Sequence, residues 1–141
     1  MYETYTRQSL PDKKYRELLG TAICVFNSNN GFIIENILRN DPSQCYTWYD
    51  LIDKTSGELL TPIKATITKN SNTNIANLFG QLLWERNRII HSFRVTNENS
   101  EQVLHTKNKM NVQYEITEEL LMEFIKSNEK LSDMLHKFRG Y

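Results

Sequence analysis

Apolar side chains recur at steps of three and four along most of this chain. In "PDKKYRELLGTAICVFNSNNGFIIENILRN", Tyr15, Leu18, Leu19, Ala22, Ile23, Phe26, Ile33 and Ile37 fall on one helical face. The spacing predicts a helix over 12–39, with Pro11 suited to its first turn and "NDP" at 40–42 as the stop. The polar run 27–31 predicts a kink or a division within it. Residues 1–10 are polar and read as a loosely held arm. The next stretch mixes a short aromatic segment, a Ser-Gly turn and a helix start at Thr61-Pro62. A second long helix is predicted from Asn72 or Thr73 to Phe93. Beyond it, "EQVLHTK" and "NVQYEIT" flank a polar turn and predict a small β-hairpin. Thr117 then suits the N-cap of a last helix, with Glu118 and Glu119 against its dipole and Gly140 near its end. Its face is Leu120, Leu121, Phe124, Ile125, Leu131, Leu135 and Phe138. The fold expected is mainly α, a helical bundle with a small β-hairpin before the C-terminal helix. It forms a single domain over 1–141, without internal repeats or linkers.

Composition narrows the class. A hydrophobic content of 39% and a charged content of 24% are those of an ordinary globular domain. No apolar run approaches the roughly eighteen residues of a membrane span, and the start has no leader-like segment. Cys24 and Cys45 follow no metal-ligand spacing and read as free thiols in a reducing compartment, which makes the cytoplasm the expected location. Lysine plus arginine equals aspartate plus glutamate, so the formal net charge is zero. Bulk electrostatic coating of nucleic acid is thereby disfavoured, while a locally basic site remains open.

One position breaks the hydrophobic pattern. On the second long helix the face runs Ile75, Leu78, Phe79, Leu82, Leu83, then Arg86, then Ile89, Ile90 and Phe93. A guanidinium keeps its proton and is costly to bury unless a carboxylate, phosphate or carbonyl meets it. His91 follows five residues later. The ordinary readings are an ion pair for Arg86 and a helix-dipole preference for His91. Glu35, between Ile34 and Ile37 on the first helix, is the carboxylate that could meet Arg86 across the bundle. Trp48, Tyr49 and Trp84 are able to stack bases, but core packing is the stronger expectation for each. His105 and His136 read as structural or surface residues. Asp50 and Asp53 lack a third ligand nearby, so no metal and no cofactor is expected.

The segment "RNRIIH", Arg86 to His91, resembles the signature of the HEPN superfamily, in which Arg, often followed by Asn, precedes His by four to six residues. The resemblance implies a small α-helical bundle and a metal-independent endoribonuclease, commonly a toxin or phage-defence effector. Arg86, Asn87 and His91 take the motif positions, and an acidic or polar residue on the facing helix, here Glu35, fits the same pattern. The branch silenced by a nucleotidyltransferase antitoxin carries Tyr two residues after the His. This chain has Phe93 there, so modification at that residue is not available to it. Silent members of the superfamily bind nucleotide, RNA or a partner protein, and that is the alternative reading. A structural ion pair in an unrelated interaction domain is a third.

The chemistry suits the residue types. RNA cleavage without a metal uses the neighbouring 2′-OH, so it needs a base, an acid and a cation for the phosphorane charge. Histidine titrates near neutrality, and arginine matches two phosphate oxygens with its planar fork. Asn87 shares a helix face with His91, whereas Arg86 and His91 lie about 140° apart on an ideal helix. Arg88 and Arg94 flank the motif as candidate RNA-binding cations. With one motif histidine per chain, a homodimer with a composite active site is expected, since two-fold symmetry would bring two copies of His91 and Arg86 into one cleft. HEPN ribonucleases resemble this arrangement. The expected partners are an RNA substrate, a second copy of the chain, and an antitoxin or other regulatory protein.

Overall fold

Asp12 begins the first helix. Its carboxylate accepts the Tyr15 N–H at 2.8 Å, so α1 runs Lys13–Arg39, and Pro11 lies buried ahead of the cap and outside the first turn. The computed structural model describes residues 2–140. After α1 come α2 (Trp48–Asp53), a 3-10 turn (Ser56–Leu59), α3 (Leu60–Ala65), a second 3-10 turn (Thr68–Asn70) and α4 (Asn74–Ile90). Three strands follow, β1 (Phe93–Thr96), β2 (Gln102–Lys107) and β3 (Gln113–Ile116), and α5 (Glu118–Arg139) completes the fold. The protein is therefore mainly helical, with a small antiparallel sheet before the C-terminal helix.

The polar run 27–31 leaves α1 unbroken. Asn29 points inward and its amide donates to Asn128 of α5, to the main-chain oxygen at 2.8 Å and to Oδ1 at 3.1 Å. Asn27 and Ser28 face solvent. The run thus serves as a polar clasp between two packed helices, and the burial of Phe26, Ile33, Ile34 and Ile37 around it outweighs the weak helix preference of Asn and Gly. At the centre, Phe26 stacks between Phe79 of α4 and Phe124 of α5, with ring centroids 5.9 and 6.3 Å apart.

At the other end of α4 the expected helix to Phe93 stops short. His91 is the C-cap, and its N–H donates to the Asn87 carbonyl at 2.9 Å. Ser92 closes the turn on the Ile89 carbonyl, through its N–H at 3.2 Å and its hydroxyl at 2.6 Å. The chain then extends, because Phe93, Val95 and Thr96 favour a pleated strand that has a ladder to join. The expected hairpin is therefore a three-stranded sheet in the order β1-β2-β3. Phe93 pairs with His105 and Arg94 with Leu104; on the far side of β2, Leu104 pairs with Ile116 and His105 with Glu115. Buried Tyr15 ties α1 to this sheet. Its hydroxyl donates to the Ile116 carbonyl at 2.5 Å and accepts the Leu104 N–H at 3.4 Å, and burial pushes its pKa up to about 12.

Other expectations are corrected by the packing. The arm is tied down: Arg16 holds Glu3 at 2.8 Å and the Tyr5 hydroxyl at 3.1 Å, and Arg94 donates to the Ser9 carbonyl at 2.7 Å. Met1 lies outside the described residues. Trp48, Tyr49 and Trp84, expected in the core, are 39%, 80% and 39% exposed, since the three stacked phenylalanines already fill the centre. The last helix follows its expected plan, with Thr117 accepting the Leu120 N–H at 3.1 Å and Gly140 at φ 98° beyond its end. No helix among the described residues is long and apolar enough to cross a membrane.

Candidate active site

The end of α4 carries the motif, and its residues meet different surroundings. Arg86 is half-buried, with its guanidinium carbon 4.9 Å from the centroid of Phe26. Its Nε is shut off from solvent and makes no hydrogen bond. Burial alone lowers its pKa, and no carboxylate pairs with it among the described residues. What it has is the negative face of an aromatic ring, which compensates only part of the lost hydration. The ion-pair explanation for its place on the apolar stripe is thereby removed for the single chain.

Glu35 does not face Arg86. Its carboxylate accepts from Arg139 of α5 at 3.3 Å, and Arg139 also lies over Phe32 at 5.7 Å. The reason is geometric. Glu35 is exposed on the α1 surface that borders the end of α5, whereas the side of α1 that meets Arg86 is the one bearing Phe26.

His91 is exposed at the cap, where the chain leaves the helix. Asn87, half-buried, is linked to it through the main-chain hydrogen bond, and its side-chain amide has no hydrogen-bond partner among the described residues. The structure thus keeps Arg86, Asn87 and His91 within about the last turn and a half of α4 and its cap while turning the cation inward and the imidazole outward. Arg88 and Arg94 each use one nitrogen to hold the fold. Arg88 donates to the Lys107 carbonyl at 3.1 Å, which pins α4 to the end of β2, and Arg94 anchors the arm. Their positive charge remains at the motif end of the molecule, but neither guanidinium is wholly devoted to a ligand.

Two apolar residues expected to continue the inner stripe lie outside it. Ile90, the last residue of α4, is 52% exposed, and Phe93, beyond the end of the helix in β1, is 46% exposed. Sequence reading also missed the neighbour that the sheet supplies. His105 stands directly across from Phe93, with ring centroids 6.4 Å apart, and its Nδ1 lies 3.1 Å from Gln113 Nε2. The only signal in the sequence was a β-prone run starting at Phe93, concealed by the helical spacing of the same residues.

The clefts differ in what they could accept. One of about 360 Å³ is lined by Glu101, Glu115, Glu118 and Glu119, and these carboxylates repel phosphate. Another, of about 300 Å³, lies between α4, β3 and α5 and combines Trp84, Arg88 and Tyr114 with Glu85 and Glu123. Asp50 and Asp53 are exposed on α2, and no group of three His, Cys, Asp or Glu residues able to hold a metal occurs among the described residues. Both cysteines are free and exposed. Neither a family model, nor a curated protein, nor a solved structure matches this chain.

Proposed function

We propose that this protein is a metal-independent endoribonuclease of the HEPN kind, acting in the cytoplasm as a toxin or antiphage effector. The observation that carries the proposal is Arg86, a half-buried cation on an apolar face that no carboxylate meets, five residues before an exposed histidine. A cation kept there at a cost to stability makes sense if an anion arrives later, and a phosphodiester is the anion that a guanidinium and an imidazole together can process. In this reading Arg86 meets the phosphorane charge, His91 transfers a proton, and Asn87 orients the imidazole or a phosphate oxygen. Arg88 and Arg94 raise the local potential that attracts RNA.

The same reading includes a homodimer. Exposed Ile90 and Phe93 beside a cation without an anion describe a face that a two-fold partner can cover, making a shared groove in which Arg86 and His91 of both chains address RNA. A regulatory protein would act by masking that groove. The alternative, a silent module binding nucleotide or RNA, would also give Arg86 an anion but leaves the exposed histidine at the cap without a task.

The test uses purified protein and RNA in EDTA. Cleavage should persist under chelation, leave a 2′,3′-cyclic phosphate and stop in the Arg86→Ala and His91→Ala variants. Full activity in either variant would overturn the proposal. Activity that vanishes in EDTA and returns with magnesium would move the chemistry towards Asp50 and Asp53. Expression in a bacterial host should slow growth with the wild type and not with the variants.

A further inference from the structure

We propose that His105 is the second proton-transfer residue of this site and works with His91 of the same chain on one phosphodiester. The inference deepens the ribonuclease reading and rests on it. In-line cleavage needs a base for the 2′-OH and an acid for the departing 5′-oxygen. The motif supplies one histidine per chain, and the sheet supplies another. His105 is the register partner of Phe93, which lies two residues after His91. Directly paired strand residues have α-carbons about 4.5–5.5 Å apart, and two residues of chain span at most about 7 Å. The α-carbons of His91 and His105 are therefore within about 13 Å, a separation that two imidazoles can close from opposite sides of a phosphate.

The surroundings of His105 suit an acid. Gln113 Nε2, 3.1 Å from Nδ1, is a donor and so selects the neutral tautomer with its proton on Nε2. When the ring takes up a second proton, rotation of the amide presents its oxygen to Nδ1–H, so one side chain serves both charge states. Glu115 is the cross-strand partner of His105 on β3, and Lys107 lies two residues along β2 on the same face, so both charged side chains border the ring. Phe93, exposed beside the His105 ring, gives a base next to the scissile bond a surface to stack on.

The step balances without a co-reactant. His91 takes the 2′-OH proton as the 2′-oxygen forms its bond to phosphorus. The bond from phosphorus to the 5′-oxygen breaks, and imidazolium His105 gives its proton to that oxygen. The products are a 2′,3′-cyclic phosphate and a 5′-OH, and both rings reset by exchange with solvent.

The experiment measures cleavage of a mixed-sequence single-stranded RNA oligonucleotide in EDTA, across pH, by wild type, His91→Ala, His105→Ala and His105→Gln. Thermal unfolding checks that each variant folds, and the glutamine variant guards against collapse of the alanine one. The wild type should give a bell-shaped profile. Its acidic limb comes from His91, which must be neutral, and its alkaline limb from His105, which must be protonated. Both His105 variants should lose about a hundredfold to a thousandfold in rate and should lose the alkaline limb. Mixing His91→Ala with His105→Ala should restore nothing, because the pair belongs to one chain. Activity that depends on His91 but stays within twofold on changing His105, with the bell intact, overturns this inference alone. Restoration on mixing overturns the same-chain pairing. A wild type that cleaves nothing overturns the ribonuclease reading beneath it.

Discussion

Two polar intrusions lie close to the Phe26 stack, and they are treated in opposite ways. One turn along α1 from Phe26, Asn29 reaches Asn128, and that amide in turn donates to the Phe124 carbonyl at 2.9 Å. Arg86 lies over the Phe26 ring itself and has no hydrogen bond at Nε and no anion. The first arrangement follows the rule that buried polar groups find partners within the fold. The second departs from it: the Nε atoms of Arg88 and Arg139 make no hydrogen bond either, but those guanidiniums donate to Lys107 and Glu35, whereas Arg86 has, among the described residues, only the Phe26 ring. The clasp therefore reads as architecture, and the unpaired cation as a place kept for a ligand.

The largest effect should come from the unsatisfied side. Arg86→Ala and His91→Ala are each expected to lower RNA cleavage by about a thousandfold, equivalent to about 4 kcal/mol of transition-state stabilisation. Single-turnover rates would measure it, with unfolding still cooperative. Wild-type rates in Arg86→Ala would make its missing partner a structural accident and end the contrast.

On the satisfied side, Asn29→Ala should cost about 2–3 kcal/mol, because it removes two hydrogen bonds and leaves the Asn128 Oδ1 buried without a donor. Urea unfolding would show this as a lower midpoint with an unchanged slope, and RNA cleavage measured well below the transition should stay within a few fold. A change below 0.5 kcal/mol, on the order of ordinary surface substitutions, would remove the claim that the clasp is architectural.

Tyr15 sharpens the same point by its dependence on pH. Its folded pKa of about 12 lies above the ordinary value of about 10, so its contribution is fully present below pH 10 and is lost as pH rises through 12. The pH dependence amounts to about 2–3 kcal/mol, carried by a phenol that is neutral in the fold. Stability of the wild type minus that of Tyr15→Phe, measured from pH 8 to 11.5, should shrink as pH rises. A constant difference would show that the hydroxyl does not resist ionisation.

The smallest effect is the most selective. Arg86→Met keeps the length and packing of the side chain while removing the charge. The lost contact with Phe26 and the relieved desolvation nearly cancel, so stability should stay level or rise slightly, within about 1 kcal/mol, while cleavage is lost. Thermal unfolding beside the cleavage assay reads both. A loss of more than 2 kcal/mol would mean that the cation on the ring holds the core together.

Much was determined by the chain alone. The three long helices follow from apolar steps of three and four, and the cap at Thr117 follows from a side chain that accepts an N–H group left over by helix geometry. The oddity of Arg86 was also legible, since a cation on an apolar stripe needs no neighbour to be noticed. What tertiary structure alone decided were the pairings. Whether α4 continued to Phe93 or ended at Ile90 depended on a ladder with β2, a partner about ten residues away that local spacing does not encode. That ladder turned Phe93 outward and placed His105 beside it. The choice of Arg139 over Arg86 for Glu35 likewise rests on how helices lie against one another. Periodicity specifies which face of an element is buried, but the identity of what it meets depends on the other elements, and a site is made of such meetings.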